Sequence, residues 1–154
     1  MPTVYTYTKQ CVSGATYCLK QPADPTTHAA LGTELATIDG VTYVVLPDGA
    51  TLPEDQPAEI AASVQVVTLT SEQKEAIKAV SPHALLISSR IIDKIRAEYP
   101  LDEELFLARI AVGALQGSYT LQAGEAEELA AYQVCAEAAR EWGRTERAKL
   151  GLGS

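Results

Sequence analysis

The stretch that decides the fold is ELATIDGVTYVVLPDGATLP, residues 34–53, which places two Asp-Gly pairs on either side of one apolar run. A two-residue Asp-Gly link favours a type I′ turn, because both central residues need positive φ and the turn matches the twist of the flanking strands. The pair Asp39-Gly40 therefore predicts a β-hairpin between TELATI and VTYVVL. We expect this segment to form part of a small sheet that displays a surface, with no catalytic cradle.

Further strands are expected on both sides of this hairpin. TVYTYT (3–8), ATYCLK (15–20) and SVQVVTL (63–69) contain the β-branched and aromatic residues that suit a pleated surface. VSG provides a turn before the second of them. The Pro-containing segments 21–32 and 47–57 indicate exposed loops, because proline and small polar residues favour turns and proline is excluded from central strands.

The apolar periodicity changes to a helical one after Leu69. Thr70 with Gln73 forms a capping-box pattern, and Ser81 followed by Pro82 predicts the start of a second helix. A third helix is expected to begin at Asp102, and a fourth at about residues 125–149, with acids at its start and bases at its end. The predicted packing stripes are Leu85, Ile91, Ile92, Ile95 and Tyr99 in the second helix, Leu105, Phe106 and Ile110 in the third, and Leu129, Tyr132, Cys135 or Ala136, Ala139 and Trp142 in the fourth.

Strands that all precede the helices indicate an α+β fold. The prediction is an N-terminal antiparallel β-sheet with hairpins, followed by a bundle-like helical half. The predicted lobes are residues 1–70 and 71–154, and a single core shared by both lobes remains open.

The charge of the chain argues against a nucleic-acid partner. Twelve basic and twenty acidic residues give a net charge of −8, and no dense basic stripe is present. No apolar run reaches the eighteen or so residues that a membrane span needs, so membrane insertion is not expected. The first residues, MPTVYTYTKQ, lack the pattern of a signal peptide, so synthesis in the cytoplasm is expected.

No motif with a defined chemistry occurs in the chain. The P-loop, nucleophile-elbow, dinucleotide-binding and EF-hand patterns are absent, and His28 and His83 are too few for a zinc site. We therefore predict no catalytic residue, no cofactor and no metal. Cys11, Cys18 and Cys135 are expected to be reduced thiols, although a pairing of Cys11 with Cys18 across a hairpin remains open. A small thiol enzyme or hydrolase that uses such a cysteine is a remote alternative.

The aromatic composition is unusual, with seven tyrosines against one phenylalanine and one tryptophan. Tyrosine combines a large ring with a polar tip, which suits both interfaces and half-exposed core faces. Tyr5 and Tyr7 share one face of their strand, and the sequence leaves both interpretations open. Aromatic and arginine side chains dominate interface energetics, so the predicted protein-binding residues are Tyr5, Tyr7, Tyr132, Arg140 and Trp142.

The C-terminal half carries a family resemblance. IIDKIRAEYPLDEELFLAR (91–109) and AAYQVCAEAAREWGRTERAKLGL (130–152) resemble the closing helices of small proteins encoded in the tail-gene clusters of tailed bacteriophages. IDGVTYVVLPDGATLP and TLTSEQKEAIKAVSPHALLI are also similar to such proteins, so the resemblance covers about residues 34–152. The chain departs from the family pattern by an insertion over 110–128 and by Ala139 where cysteine is frequent.

This resemblance implies a non-enzymatic structural protein of the virion tail, associated with the baseplate, tail tip or tail fibre. The partners it implies are other phage tail proteins, and self-association remains open. A tail-fibre assembly chaperone, or a cytoplasmic regulatory binding protein that the virion does not retain, is the alternative. The resemblance implies no catalytic residue, because the family pattern contains none.

Overall fold

The computed structural model describes residues 1–153 and confirms the α+β class, with an antiparallel sheet followed by helices. The strands are β1 (Thr3–Tyr7), β2 (Gln10–Val12), β3 (Ala15–Tyr17), β4 (Thr33–Ile38), β5 (Val41–Leu46) and β6 (Gln65–Val67). The helices are α1 (Ala58–Ala61), α2 (Ser71–Val80), α3 (Pro82–Glu98), α4 (Leu101–Leu115) and α5 (Glu125–Lys149).

The hairpin predicted at the first Asp-Gly pair is confirmed. β4 and β5 pair antiparallel with Ile38 opposite Val41, and Asp39 (φ 50°) and Gly40 (φ 79°) both adopt the left-handed conformation that a type I′ turn requires. The second pair, Asp48-Gly49, makes a turn that leaves the sheet, closed by the Ala50 N–H donating to the Pro47 carbonyl at 3.1 Å. Only the first Asp-Gly pair therefore joins two strands.

The four-stranded sheet has the order β4-β5-β1-β6, with every neighbouring pair antiparallel. β6 pairs with β1 at one edge of the sheet and is only three residues long. β2 and β3 form a separate hairpin in which Cys11 lies opposite Thr16. β3 ends at Tyr17, so Cys18 falls outside the ladder, and both cysteines are free and exposed.

Alternate residues of β1 point to opposite faces of the sheet. Each face packs against its own cluster of apolar side chains. Val4 lies in a cluster with residues of α2 and the C-terminal segment, whereas Tyr7 lies in a cluster with α1 and the segment after β3. The first cluster contains Val4, Leu35, Ala36, Val45, Leu69, Ile77, Ala84 and Leu152, and the second contains Tyr7, Leu19, Val44 and Ile60.

The helix starts agree with the predicted capping in one case and depart from it in another. Thr70 Oγ1 accepts from the Gln73 N–H at 3.2 Å and Gln73 Oε1 accepts from the Thr70 N–H at 2.9 Å, which confirms the capping box of α2. Ser81 directly precedes α3, but its buried Oγ has no hydrogen-bond partner. Ser81 therefore stands at the predicted cap position without forming a capping hydrogen bond. The short helix α1 was not predicted, because four residues carry no helical period.

The chain divides into two compact units that differ from the lobes predicted to meet at residue 70. The sheet unit comprises Met1–Leu86 and the C-terminal residues from Thr145, and the helical unit comprises Ile87–Arg144. The difference arises because α2 contributes Ile77, which is fully buried, to the core of the sheet. Within residues 1–153, no helix is both long and apolar enough to cross a membrane.

The core of the helical unit corrects part of the stripe predicted for α3. Ile95 is buried and Ile91 is half-buried, but Ile92 is 46% exposed. Leu85, in the part of α3 that belongs to the sheet unit, is likewise 51% exposed. The buried residues of α3 are Ala84, Ile87 and Ile95, so a 3.6-residue period that starts at Ala84 describes the helix better than one that starts at Leu85.

The stripe predicted for α5 agrees with the structure, and Ala136 and Ala139 pack with Ile95. α5 continues through Gly143 to Lys149. A Cβ atom at Gly143 would lie 2.2 Å from Ile91 Cδ1. The absence of a side chain at Gly143 therefore lets α5 pack closely against Ile91 of α3.

Candidate functional site

The five predicted binding residues divide between the two units. Tyr5 and Tyr7 belong to the sheet unit, whereas Tyr132, Arg140 and Trp142 belong to the helical unit.

Tyr7 is a core residue, which corrects its assignment to a binding surface. It is 2% exposed, because β1 is a central strand and the face that carries Tyr7 is covered by Leu19 and Ile60. Burial raises the pKa of Tyr7 to about 12, opposed by a hydrogen bond from the Leu19 N–H and reinforced by the neighbouring Cys18. Tyr5 is half-buried and packs against the same cluster, so the core-face interpretation of these tyrosines describes the structure.

Tyr132 lies among polar and aromatic neighbours in the helical unit. Its hydroxyl donates to Glu104 Oε1 at 2.8 Å, and its ring meets Tyr99 edge-on with 5.2 Å between ring centroids. Burial, and then the bond to Glu104, raise the pKa of Tyr132. These contacts fix the ring, so Tyr132 acts as a rigid support for Tyr99.

Trp142 and Arg140 lie further along α5, each with a partner of its own. The Lys94 ammonium lies 4.8 Å from the centroid of the Trp142 ring, within the range of a cation–π contact. Arg140 is exposed and its nearest ion-pair contact, to Glu137 Oε2, is long at 3.9 Å. A surface ion pair of this kind contributes little to the free energy of unfolding. Arg140 can therefore leave Glu137 and pair with another carboxylate at little cost in free energy.

An open groove in the helical unit is the candidate site, and we call it the acidic groove. It lies where the end of α3 meets the first half of α5 and has a volume of about 520 Å³. Its lining consists of Glu98, Tyr99, Ala130, Ala131, Val134 and Cys135. Val134 is 71% exposed, which leaves a branched apolar side chain largely in water at the groove.

The surroundings of Tyr99 show the electrostatic character of the acidic groove. Burial raises the pKa of Tyr99, and the thiol of Cys135 and the carboxylates of Glu128, Glu103 and Glu98 raise it further. A phenol whose ionisation is opposed by several acidic groups lies in a negative potential. The groove therefore combines an apolar floor with negative surroundings, which suits an apolar segment that carries basic residues.

A second groove, of about 510 Å³, lies in the sheet unit beside β1 and β6. Val66 is 65% exposed at this groove. Lys74 Nζ donates to the Gly153 carbonyl at 2.7 Å, and the N-terminal ammonium pairs with Asp48 at 2.8 Å. Both of these ammonium groups therefore already have an oxygen partner. This groove has fewer free charges with which to recognise a binding partner than the acidic groove.

The side chains suited to catalysis are scattered over exposed positions. Cys11, Cys18 and His28 are exposed in the hairpin and loops of the sheet unit, and His83 is exposed in the first turn of α3. Within residues 1–153, no three His, Cys, Asp or Glu side chains come together in a way that could hold a metal ion.

Tyr99 and Val134 were not predicted as surface features. Tyr99 was predicted as a packing residue of α3, and Val134 lies off the stripe assigned to α5. The sequence does contain a signal for the groove. Val134 follows Ala130 by four residues and Ala131 by three, so the three side chains form a second, weaker apolar strip on α5.

Comparisons of the chain with protein-family models, with curated proteins and with solved structures give no significant match.

Proposed function

We propose that the chain is a non-enzymatic docking protein of a bacteriophage tail, associated with the baseplate or the tail fibre. It is made in the host cytoplasm and acts in the virion tail by binding other tail proteins. The resemblance of residues 34–152 to tail-gene-cluster proteins supports the phage assignment. The acidic groove supports the mode of action, because its exposed Val134 and negative surroundings suit recognition of another polypeptide.

The occupant proposed for the acidic groove is a segment of another tail protein that carries apolar and basic residues. The apolar side chains would cover Val134 and the two alanines, and the basic ones would meet the carboxylates around Tyr99. Charge complementarity of this kind gives specificity and speeds association, while the apolar contact supplies most of the affinity.

Capture of tail proteins by the full-length chain tests this proposal. Tagged wild-type chain is incubated with lysate of infected cells, and bound proteins are identified by mass spectrometry and cross-linking. Val134→Glu adds a negative charge to the groove and is expected to weaken capture of the partner at least about tenfold, a loss of about 1.4 kcal/mol. Val66→Glu changes a similarly exposed valine of the sheet unit and serves as the matched control.

Mass spectrometry of purified virions then separates the two proposed roles. A structural protein is present in mature particles, whereas an assembly chaperone binds a tail protein in the lysate but is missing from particles. The tail proposal is overturned if the chain is absent from particles and the captured proteins include no tail component. Equal capture by wild-type and Val134→Glu chains would remove the groove as the docking site.

A further inference from the structure

α4 carries apolar side chains on two opposite faces. Leu107 and Ile110 are at most 2% exposed and belong to the packed face. On the other side, Leu101, Leu105, Val112 and Leu115 are 49%, 61%, 52% and 89% exposed. The outward face of a surface helix is ordinarily polar, so these large apolar side chains lack the cover that they usually have.

The outer face has the spacing of a coiled-coil seam, and we call it the α4 stripe. It consists of Leu101, Leu105, Ala108, Val112 and Leu115, which are separated by alternating steps of four and three residues. This alternation is the heptad pattern that places side chains along one narrow band of a helix. At 1.5 Å per residue the stripe is about 21 Å long.

We propose that the α4 stripe is a self-association surface, through which two copies of the chain pair antiparallel about a two-fold axis. In antiparallel seams, the two kinds of heptad position face each other across the interface. Leu101 of one copy then faces Val112 of the second copy, and Leu105 faces Ala108, while Leu115 lies beyond the paired segment at each end of the interface. The two-fold axis repeats each contact, so one patch is complementary to itself.

The charges beside the α4 stripe favour the antiparallel arrangement. Asp102 and Arg109 occupy equivalent heptad positions on one flank of the stripe, and both are exposed. In the register above, Asp102 of each copy lies beside Arg109 of the other, which gives two ion pairs of opposite charge. These pairs set orientation and register more than they add affinity.

A parallel pairing is disfavoured by the first turn of α4. Asp102, Glu103 and Glu104 would lie beside the same three acids of the second copy, and the two helix dipoles would point the same way. The antiparallel pairing separates the two acidic ends by the length of the helix and opposes the dipoles. Electrostatics therefore selects one orientation of the two.

The expected dimer is weak and depends on concentration. A standard stable interface buries about 800 Å² on each partner, and one helix of four turns contributes only part of such an area. The wild-type chain should therefore change from monomer to dimer as its concentration rises, while the dimer stays intact only at the upper end of the range.

Sedimentation velocity of the full-length chain over a wide range of concentrations tests the proposal. Wild-type chain should dimerise. Val112→Glu should abolish the dimer, and Val66→Glu, which changes an exposed valine of the sheet unit, should keep it. Far-ultraviolet circular dichroism of each variant checks that the helices remain folded.

A charge exchange tests orientation and register. Asp102→Arg alone and Arg109→Asp alone should each weaken the dimer by about tenfold, or about 1.4 kcal/mol. The double variant restores opposite charges and should recover the affinity of the wild-type chain. The proposal is overturned by a wild-type chain that stays monomeric, by a dimer that survives Val112→Glu, or by a double variant no tighter than the single ones.

Discussion

Gly143 offers a sharp test of how closely α5 packs against α3. The glycine is buried, and a Cβ atom at this position would lie 2.2 Å from Ile91 Cδ1 and 2.8 Å from Ile91 Cγ1. Both distances are far below ordinary van der Waals contact. Gly143→Ala must therefore push Ile91 out of its present rotamer or separate the two helices.

Two opposing effects determine the size of the change. In an open helix interior, replacing glycine by alanine stabilises by about 1 kcal/mol. Inserting a methyl group into a packed contact costs about 1–3 kcal/mol. We expect the packing cost to exceed the propensity gain, so that Gly143→Ala lowers the free energy of unfolding by up to about 2 kcal/mol. For a chain of 154 residues this corresponds to a Tm lowered by up to about 8 °C.

Urea unfolding followed by tryptophan fluorescence measures this change. Trp142 is the only tryptophan of the chain and directly precedes Gly143, so its emission reports on the helical unit. Ala138→Gly, at an exposed position of α5, measures helix propensity alone and should cost about 1 kcal/mol.

Ile91→Val removes Cδ1 and supplies the second arm of a double-mutant cycle. Alone it should cost about 0.5–1.5 kcal/mol. Combined with Gly143→Ala, the loss should be smaller than the sum of the two single losses, because the displaced methyl group is gone. If Gly143→Ala stabilised the protein as an open site would, or if the two changes were additive, the close approach of α5 to Ile91 would be refuted.

Two further predictions concern the sheet unit. Thr70→Ala should lower the free energy of unfolding by about 1 kcal/mol in urea titrations, because the Gln73 N–H loses its acceptor, whereas Thr68→Ala, at an exposed position before the cap, should change it little. Tyr7 has a pKa of about 12 in the folded chain against an ordinary value of 10.0, so folding favours its neutral form. The resulting contribution to the free energy of unfolding is complete below pH 10 and is lost between about pH 10 and 12. The free energy of unfolding of the wild-type chain should therefore fall more steeply over that pH range than that of Tyr7→Phe; parallel curves would contradict the burial of this hydroxyl.

Much of the fold follows from contacts between residues that are close in sequence. The type I′ turn at Asp39-Gly40 and the capping box of Thr70 and Gln73 lie where the sequence predicts them. The acids at the start of α5 and the bases at its end likewise predict its bounds correctly. Each of these signals depends on hydrogen bonds, φ angles or charges within a single turn, so a short stretch of sequence contains all the partners.

The candidate site was predictable only in part. Tyr132 was identified for its aromatic ring, and it lies against Tyr99 at the acidic groove. Val134 was missed because α5 has a stronger stripe elsewhere, and only the packing of that stripe leaves Val134 exposed. The burial of Tyr7 was equally hard to predict. The sequence of a strand with tyrosines on one face does not show whether a neighbouring segment covers that face or water does.

The sequence by itself determined the class of the fold, the order of its longer strands and helices, the turn at Asp39-Gly40 and the capping box of α2. The tertiary structure decided which apolar face of α3 and α4 is packed and which remains in water. The physical reason is that both helices carry apolar residues on more than one face, so their periodicity allows several packed faces. The choice among them depends on distant residues such as Gly143, whose missing side chain lets α5 approach Ile91.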